Sequence, residues 1–363
     1  MKFKVIIRCL VYNHEPYLRD CLEGFVMQKT NFPFKAVVHD DCSTDSSAAI
    51  IREYAEKYPD IIEPIYETEN LYSKRDGSLG RVMDAACNGR SKYFALCEGD
   101  DYWIDPYKLQ KQVDYMDNHS ECSMVCTKGD ILTPSGFLPE NETDQYKSDK
   151  SKDFFVLDVN DIIIKGGAYI YTCSIMYRAG LREDFPEFLR KCLVGDYPLQ
   201  VFAALKGEVC CINRKMVVYR CGQVGSWTHQ NNLQYNKKSV KLWISVIRML
   251  ESLNKYSNFK YDFSFRKAIV SHLRYWLDSA PHLLTLLSKE IGYVFVNNYI
   301  GNSQKQVDKS LKNMIIQFLS RIKWYPFEPS PLVQVYKKLT LLERLKVGFV
   351  CKSVKKPSTY CRD

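Results

Sequence analysis

Two pairs of adjacent aspartates occupy the same local setting in this sequence. Asp40-Asp41 follows the apolar run 34–39, and Asp100-Asp101 follows the apolar run 93–97. Each pair is therefore predicted at the C-terminal end of a buried strand, which is the edge where open α/β sheets bind ligands. Because neighbouring carboxylates repel one another, four of them at one edge indicate a bound cation or a hydroxyl-rich ligand.

The second pair has the residue types that a hard divalent cation prefers. Mg²⁺ and Mn²⁺ take oxygen ligands and share their coordination shell with phosphates. Asp100-Asp101 follows Glu98-Gly99, and a tight turn at Gly99 lets one aspartate bind a metal while other coordination positions stay open. The pair is equally typical of the acidic start of a helix near Pro106, so both interpretations stay open.

The other common catalytic patterns do not occur in the sequence. It contains no GxxxxGK[ST] phosphate loop, no GxGxxG, no HExxH and no GxSxG. The six histidines are scattered along the chain, which argues against a site built from several of them. Carboxylate chemistry is what remains.

The composition is that of a globular protein with an uneven distribution of charge. The 363 residues are 46% hydrophobic and 26% charged, which suggests two domains or one domain with a large appendage. Residues 229–363 hold 23 Lys and Arg against 8 Asp and Glu. A region this basic can meet an anionic membrane, nucleic acid or an acidic partner, and a solvated basic surface is the plainer interpretation.

The cysteines and the N-terminus indicate the compartment. The 14 cysteines form no CxxC pair and several lie in apolar runs, which favours a reduced cytoplasmic protein without a disulfide framework or zinc site. Arg8 interrupts the first apolar stretch, so no signal peptide is predicted. The sequence has no run of about 20 apolar residues, so no transmembrane helix is predicted.

The elements that must position the acidic pairs alternate between strand and helix. This rhythm predicts a mainly parallel sheet with helices on both faces, followed by a helical C-terminal region. Strands are predicted over 4–10, 34–39, 61–66, 93–97, 123–127, 170–177, 209–212 and 216–219. Helices are predicted over 15–28, 46–58, 78–88, 105–118, 158–164, 197–205, 237–253, 265–277, 283–298 and 307–322. Residues 133–153 are predicted as a long exposed loop, and 339–356 as an interfacial helix or one docked on the protein itself.

Four blocks of residues, taken together, resemble family 2 of the glycosyltransferases, which are nucleotide-sugar-dependent enzymes of the GT-A fold. In chain order they are 5–13, 37–45, 96–101 and 195–197. They look like the family's opening strand with its Tyr-Asn turn, its V-D-D-G-S-T-D nucleotide block, its D-x-D metal block and the block bearing the catalytic base. His39 and Cys42 depart from the nucleotide block, and Glu98-Gly99-Asp100-Asp101 allows several alignments with the metal block.

The resemblance implies a role for each acidic residue. Asp41 would accept a hydrogen bond from the base of the nucleotide, and Asp100 would bind the ribose or support the metal site. Asp101 would coordinate Mg²⁺ or Mn²⁺, although which of Asp100 and Asp101 is the direct ligand stays open. Asp196 would be the catalytic base, with a helix N-cap as its plainer role. The residues predicted beside the nucleotide are Val11, Tyr12, Asn13, Glu15 and Asp40.

Four further residues have weaker predicted roles near the donor. The loop 222–231 would close over the donor, with Trp227 stacked on a sugar and His229 completing the metal shell or touching the diphosphate. Arg220 and Arg81 would meet phosphate. The plainer alternatives are a packing anchor for Trp227 and a solvated helix residue for Arg81.

The expected reaction needs these carboxylates for separate purposes. Breaking the anomeric C–O bond leaves a nucleoside diphosphate, and a bound cation neutralises the charge that builds on its leaving oxygen. On the opposite side of the sugar, the acceptor hydroxyl must lose a proton, which a carboxylate within hydrogen-bond reach can take. Direct in-line attack inverts the anomeric configuration, and family 2 enzymes are inverting.

The sequence therefore predicts a metal-dependent, inverting glycosyltransferase, with a UDP-sugar as the favoured donor. Its acceptor would be a lipid-linked glycan in cell-surface polysaccharide synthesis. The enzyme would be cytoplasmic and would lie at the anionic inner face of the plasma membrane. Residues 1–231 would form the GT-A domain, with a nucleotide and metal half (1–128) and an acceptor half (129–231), and 232–363 a basic helical region.

Two other functions stay open. A nucleotidyltransferase that makes nucleotide sugars would share the sheet and the metal, but it usually has a Gly-rich segment where this chain has Leu10-Val11-Tyr12-Asn13. A nucleic-acid-binding protein could use the basic helices, but no motif supports it, so no nucleic acid partner is expected.

Overall fold

The computed structural model of this chain describes residues 2–143, 146, 151–223 and 237–279. Its first half alternates strands and helices, as the apolar runs and the 3.6-residue spacing predict. The strands are β1 (Phe3–Val11), β2 (Phe34–Asp40), β3 (Ile62–Tyr66) and β4 (Ser91–Leu96). The helices are α1 (Leu18–Val26), α2 (Ser47–Lys57), α3 (Leu71–Lys74) and α4 (Ser78–Cys87).

The second half has shorter elements around two long strands. Its strands are β5 (Tyr102–Trp103), β6 (Cys122–Thr133), β7 (Gly136–Phe137), β8 (Phe154–Val156), β9 (Met176–Arg178) and β10 (Glu208–Arg220). Its helices are α5 (Lys108–Asn118), α6 (Glu140–Thr143), α7 (Val159–Lys165), α8 (Gly180–Glu183), α9 (Glu187–Arg190) and α10 (Asp196–Lys206). Two 3₁₀ turns, Gly167–Tyr169 and Thr172–Ser174, lie between α7 and β9.

All ten described strands belong to one sheet, in the order β3-β2-β1-β4-β9-β6-β10-β5, with β7 beside β6 and β8 beside β10. β2 and β4 flank β1 in parallel, β3 extends β2 in parallel, and β6 pairs in parallel with β10. The short strand β9 is antiparallel to both β4 and β6, so β6 and β10 run in the same direction as the first four strands. The prediction of a mainly parallel α/β sheet is confirmed.

The two faces of the sheet are covered by different helices. Val5, Ile7 and Cys9 of β1 join the main hydrophobic cluster with the buried sides of α1, α2 and α5. Because side chains alternate along a strand, Arg8 points to the opposite face. There its guanidinium pairs with Asp84 of α4 at 2.9 Å, so the other face is held by a buried ion pair as well as by packing.

The predicted strands differ from the structure in two places. The segment 170–177 is mostly turn, because Ser174 Oγ donates to the Tyr171 carbonyl and Gln112 Nε2 donates to the Ser174 carbonyl. Those buried hydrogen bonds replace a strand ladder. The runs 209–212 and 216–219 are one strand, β10, whose pairing with β6 shifts register between Ile212 and Val217.

The predicted long loop at 133–153 contains β7 and α6 in its described part. The turn Thr133–Gly136 explains the hairpin, since Thr133 Oγ1 donates to the Gly136 carbonyl at 2.9 Å.

By its internal contacts the chain divides into two compact units, one of residues 1–233 with 248–268, and the other of 234–247 with 269–363. Helices α11 (Lys237–Tyr256) and α12 (Asp262–Ser279) match the predicted helices 237–253 and 265–277. None of the described helices has both the length and the apolar character needed to cross a membrane. The helices predicted over 283–298 and 307–322, and the tail 339–356, lie outside the described residues.

Candidate active site

Both acidic pairs lie at one edge of the sheet, on either side of the end of β1. The Asp41 amide donates to the Val11 carbonyl, and the Gly99 amide donates to the Leu10 carbonyl, each at 2.9 Å. The turn after β2 and the turn after β4 are therefore both tied to the last residues of β1. This edge is where the sequence predicts the site.

Side-chain hydrogen bonds join the turn after β1 to the turn after β2. Asn13 has a left-handed backbone (φ 55°), and its Oδ1 accepts from the Thr44 amide at 2.8 Å. Glu15 Oε2 accepts from the Ser46 amide at 2.9 Å. Cys42 is also left-handed (φ 63°), which explains why the family's block has glycine at that position.

Asp40 and Asp41 are both buried but have different surroundings. Asp41 accepts from the amides of Leu71 and Tyr72 at 2.7 and 2.9 Å, so it caps the short helix α3. Asp40 Oδ2 accepts from the Ser43 amide at 3.3 Å, and its buried Oδ1 has no partner among the described groups. Of the two carboxylates, Asp40 thus keeps an acceptor oxygen without a partner among the described groups. The nucleotide-binding roles of Asp40 and Asp41 stay predictions, as do those of buried Val11 and exposed Tyr12.

Asp100 and Asp101, in the turn after β4, differ in burial and in hydrogen-bond partners. Asp101 is 1% exposed, and its Oδ1 accepts from the Arg220 amide at 2.7 Å, which ties this turn to the end of β10. Asp100 is half-buried, and His14 Nε2 lies 4.0 Å from its Oδ2. The geometry leaves Asp100 as the member of the pair that can reach a ligand; the predicted metal role of Asp101 stays untested.

Arg220 supports this turn from beneath. Its Nη1 donates to the Asp100 carbonyl at 2.8 Å, its Nη2 pairs with Asp20, and its guanidinium lies over the rings of Tyr17 and Tyr102. A contact with phosphate, as the sequence predicts, would require these bonds to open.

Asp196 stands at the first residue of α10, next to Gly167. Its Oδ1 accepts from the Tyr197 amide at 2.7 Å, so it does contribute to the start of the helix. Burial raises the pKa of the Asp196 carboxyl, and a raised pKa makes the ionised form a better proton acceptor.

Glu98 joins the two parts of the site. Desolvation first, and then the negative charges of Asp100 and Asp196, raise the pKa of Glu98 to about 8. The residue is nevertheless exposed to solvent, so a ligand can reach its carboxyl. Glu98, Asp100 and Asp196 therefore share one electrostatic environment, although 98 and 196 lie far apart in the sequence.

Three predicted residues remain, namely Arg81, Trp227 and His229. Arg81 is exposed on α4, and its Nη1 donates to the Asp76 carbonyl at 2.9 Å; the described contacts do not bring it to the carboxylates. Trp227 and His229 lie outside the described residues.

Sequence reasoning gave no role to Glu98, His14 or Gly167. The signal for Glu98 was its place two residues before Asp100, which makes a Glu-x-Asp version of the metal block. Nothing local points to Gly167, because its neighbour Asp196 comes from another element.

The carboxylates fit a divalent cation shared with phosphates. Among the described residues no group of three or more His, Cys, Asp or Glu side chains forms a closed metal site. Mg²⁺ and Mn²⁺ are commonly held by one or two carboxylates together with substrate phosphates. After desolvation, the negative charges of Asp100 and Asp196 raise the pKa of Glu98, and a cation beside Glu98 and Asp100 would compensate those charges.

The sequence and the fold are both similar to known glycosyltransferases. Residues 7–185 match the model of glycosyl transferase family 2. An uncharacterized protein of Mycobacterium tuberculosis is 33% identical over 216 residues, which are 60% of this chain and 58% of that protein. The poly(ribitol-phosphate) beta-N-acetylglucosaminyltransferase TarS of Staphylococcus aureus is 30% identical over 200 residues, 52% of this chain and 30% of TarS.

A crystal structure of TarS residues 1–349 in complex with UDP-GlcNAc has the same fold. It superposes with a TM-score of 0.55 at 15% identity, covering 96% of this chain and 89% of that structure. This chain spans 58% of the length of the mycobacterial relative. The GT-A fold predicted from the motifs is confirmed, and residues 7–185 form a domain of the glycosyl transferase family 2 type.

Proposed function

We propose that this protein is a metal-dependent, inverting glycosyltransferase that moves a sugar from a nucleoside diphosphate sugar to a hydroxyl of a glycan acceptor. The observation that carries the proposal is the shared environment of Glu98, Asp100 and Asp196 at the edge where β1, β2 and β4 end. The match of residues 7–185 to family 2 supports the same reaction class.

Glu98 and Asp100 would hold the cation, Mg²⁺ or Mn²⁺, which when bound neutralises charge on the diphosphate leaving group. Asp101 and Arg220 would fix the turn that carries them, through the hydrogen bond between Asp101 Oδ1 and the Arg220 amide. In this assignment the adjacent aspartates have separate functions, one facing the ligand and one the protein.

Asp196 would accept the proton of the attacking hydroxyl at its carboxylate. Its place at the start of α10 and its raised pKa support this role, because a base works best when its pKa approaches the working pH. Attack opposite the leaving diphosphate gives inversion.

The donor would be a UDP-sugar. Asp40, with its open Oδ1, and Asp41 stand at the end of β2, where they would read the base beside exposed Tyr12. Binding of UDP-GlcNAc by TarS, which has the same fold, supports a UDP-sugar as the first donor to test.

The acceptor would be a lipid-linked glycan in synthesis of a cell-surface polysaccharide, on the cytoplasmic side of the membrane. The turn between α11 and α12 supports a membrane contact. Phe259 and Phe263 are 54% and 75% exposed, and the backbone at Phe259 is left-handed (φ 60°). Exposed Lys255 and Lys260 flank these rings, and aromatic and basic residues together suit an anionic lipid surface.

The proposed reaction predicts that a nucleoside diphosphate and a divalent cation stabilise the protein together. In a thermal-shift screen of UDP, GDP, ADP and CDP, each with and without Mn²⁺ or Mg²⁺, we expect the largest rise in melting temperature with UDP plus metal. Asp100→Ala should remove the metal-dependent part of the rise. It should leave the free protein close to wild-type stability, because Asp100 is half-buried and His14 is 4.0 Å away.

Asp101→Ala is the matched control at the next position. Its loss leaves the buried Arg220 amide without an acceptor, so we expect a stability loss of about 1–3 kcal/mol. If Asp101→Ala has the wild-type melting temperature but shows no metal-dependent rise, Asp101 is the metal ligand instead. The absence of any shift with all nucleotides and both metals would refute the proposed function.

The same screen should depend on pH through Glu98. Below its pKa of about 8 this carboxyl is protonated in the free protein, and a cation must displace that proton. Metal affinity should therefore rise with pH up to about 8, by at most about tenfold per pH unit. Glu98→Gln, which has no proton to lose, should flatten this dependence.

The membrane contact has its own test. Full-length protein should float with vesicles of phosphatidylcholine and phosphatidylglycerol, and the double variant Phe259→Ser, Phe263→Ser should bind them about tenfold more weakly. Phe137→Ser is the matched control, since Phe137 is 60% exposed on β7. Equal binding of the two variants to these vesicles would contradict the proposed contact. Equal binding of the wild-type protein to vesicles without phosphatidylglycerol would contradict it as well.

A further inference from the structure

The Asp196 carboxylate is packed directly against the backbone of a different element. A methyl group placed on Gly167 would lie 2.8 Å from Asp196 Oδ2 and 3.2 Å from its Cγ. Both distances are shorter than van der Waals contact, so the side chain of Asp196 occupies its position only because residue 167 has no Cβ.

Gly167 is brought there by a tight turn. The preceding Gly166 has a φ of 81° and a ψ of −173°, a conformation open to glycine and costly for other residues. Gly166 therefore makes the turn out of α7, and Gly167 makes the close approach to α10.

Gln200 holds this turn against α10. It lies one helical turn after Asp196 and is 0% exposed. Its Nε2 donates to the carbonyls of Gly167 and Ile170 at 2.9 and 3.0 Å. One amide thus fixes both ends of the 3₁₀ turn that faces the carboxylate.

Burying a glutamine side chain costs free energy of folding unless the hydrogen bonds of its amide compensate for desolvation. Its Oε1 has no hydrogen-bond partner among the described groups, and an apolar side chain of similar volume would avoid that cost. The two donated bonds are what the amide provides, and both go to the segment that touches Asp196.

We infer that Gly167 and Gln200 are positioning residues for Asp196: Gln200 clamps the turn, and Gly167 leaves the space that fixes the orientation of the carboxylate. This inference rests on the proposed role of Asp196 as the base. Neither residue touches the substrate. Their effect would come through the orientation of the Asp196 oxygens, so it should alter the chemical step and leave donor binding unchanged.

The test compares kcat and KM for release of the nucleoside diphosphate. The assay uses the full chain with UDP-GlcNAc and Mn²⁺, and with the donor and metal that give the largest thermal shift. Gly167→Ala should lower kcat about 10²-fold with donor KM within about twofold, because a displacement of about 1 Å can cost that much. Gln200→Met keeps the volume, loses both hydrogen bonds, and should lower kcat about tenfold. Gly180→Ala is the matched control, since Gly180 also begins a short helix and nothing lies within 4 Å of its added Cβ.

Parallel measurement of Asp196→Asn separates this inference from the proposed function. If Asp196→Asn is inactive while Gly167→Ala and Gln200→Met keep the wild-type kcat, the positioning roles are refuted and the base role stands. If Asp196→Asn is fully active, the base role itself fails. A rise in donor KM that accompanies the loss of kcat, or an equal loss in Gly180→Ala, would show a general disturbance of the fold and would also refute positioning. Should Gly167→Ala not fold, Gln200→Met carries the same comparison.

Discussion

Asp196→Asn is expected to stop sugar transfer while the donor and the metal still bind. The amide has nearly the same shape as the carboxylate, so it can still accept from the Tyr197 amide at the start of α10. It cannot accept the acceptor's proton, and loss of a general base costs roughly 10²–10⁴-fold in rate. Transfer should be measured with the donor and metal from the thermal-shift screen, and donor binding by the shift itself.

The wild-type rate should rise with pH through the pKa of Asp196. Burial raises that pKa above the ordinary carboxyl value, so the ionised base is lost on acidification at a higher pH than for an exposed aspartate. The Asn variant should lack this rise. Asp161→Asn is the control, because Asp161 also lies in the first turn of a helix, but its side chain is 46% exposed and pairs with Lys165. Transfer by Asp196→Asn at the wild-type rate would remove the assigned base.

Asp84→Ala is expected to destabilise the fold by about 3–5 kcal/mol. Asp84 Oδ1 accepts from Arg8 and Arg182 at 2.9 and 2.8 Å, and Oδ2 accepts from Arg190 at 2.6 Å. Its side chain is 11% exposed and that of Arg8 is 9% exposed. Without the carboxylate, three guanidinium groups face one another with little water to screen them. The midpoint of urea denaturation measures the effect.

Asp117→Ala is the matched control for burial. Asp117 also has three partners, Lys4, Lys92 and Tyr93, but it is 32% exposed, so we expect a loss of about 1 kcal/mol or less. Equal urea denaturation midpoints for Asp84→Ala and Asp117→Ala would contradict the larger stabilisation expected from the buried Asp84 network.

The Asp84 network should also shape the acid stability of the protein. Burial alone would raise the pKa of Asp84, but the hydrogen bonds and charges of Arg182 and Arg8 hold this pKa below its ordinary value. A lowered pKa contributes stability above the unfolded pKa, and that contribution is lost as the pH falls through the folded pKa. Asp84→Ala should therefore lose stability at neutral pH and differ less from wild type in strong acid.

Local patterns determined most of the secondary structure. The apolar runs 34–39 and 93–97 became most of β2 and β4, because buried parallel strands are predominantly apolar. The pattern failed at 170–177, where consecutive buried residues looked like a strand. There, side chains of Ser174 and Gln112 satisfy the backbone, and no local spacing reveals a partner as distant as Gln112.

The sequence by itself determined that the acidic pairs stand at strand ends on one edge of a parallel sheet, since strand period and βαβ order are local properties. Only the tertiary structure decided which carboxylates are available to a ligand. Asp101 is buried and accepts from the amide of Arg220, at the end of β10, whereas Glu98 and Asp100 keep exposed surface. Asp196 is oriented by Gly167 and Gln200, and Asp84 by arginines from three other elements. The direction of a buried polar side chain depends on the partner that compensates its desolvation, and that partner comes from far along the chain.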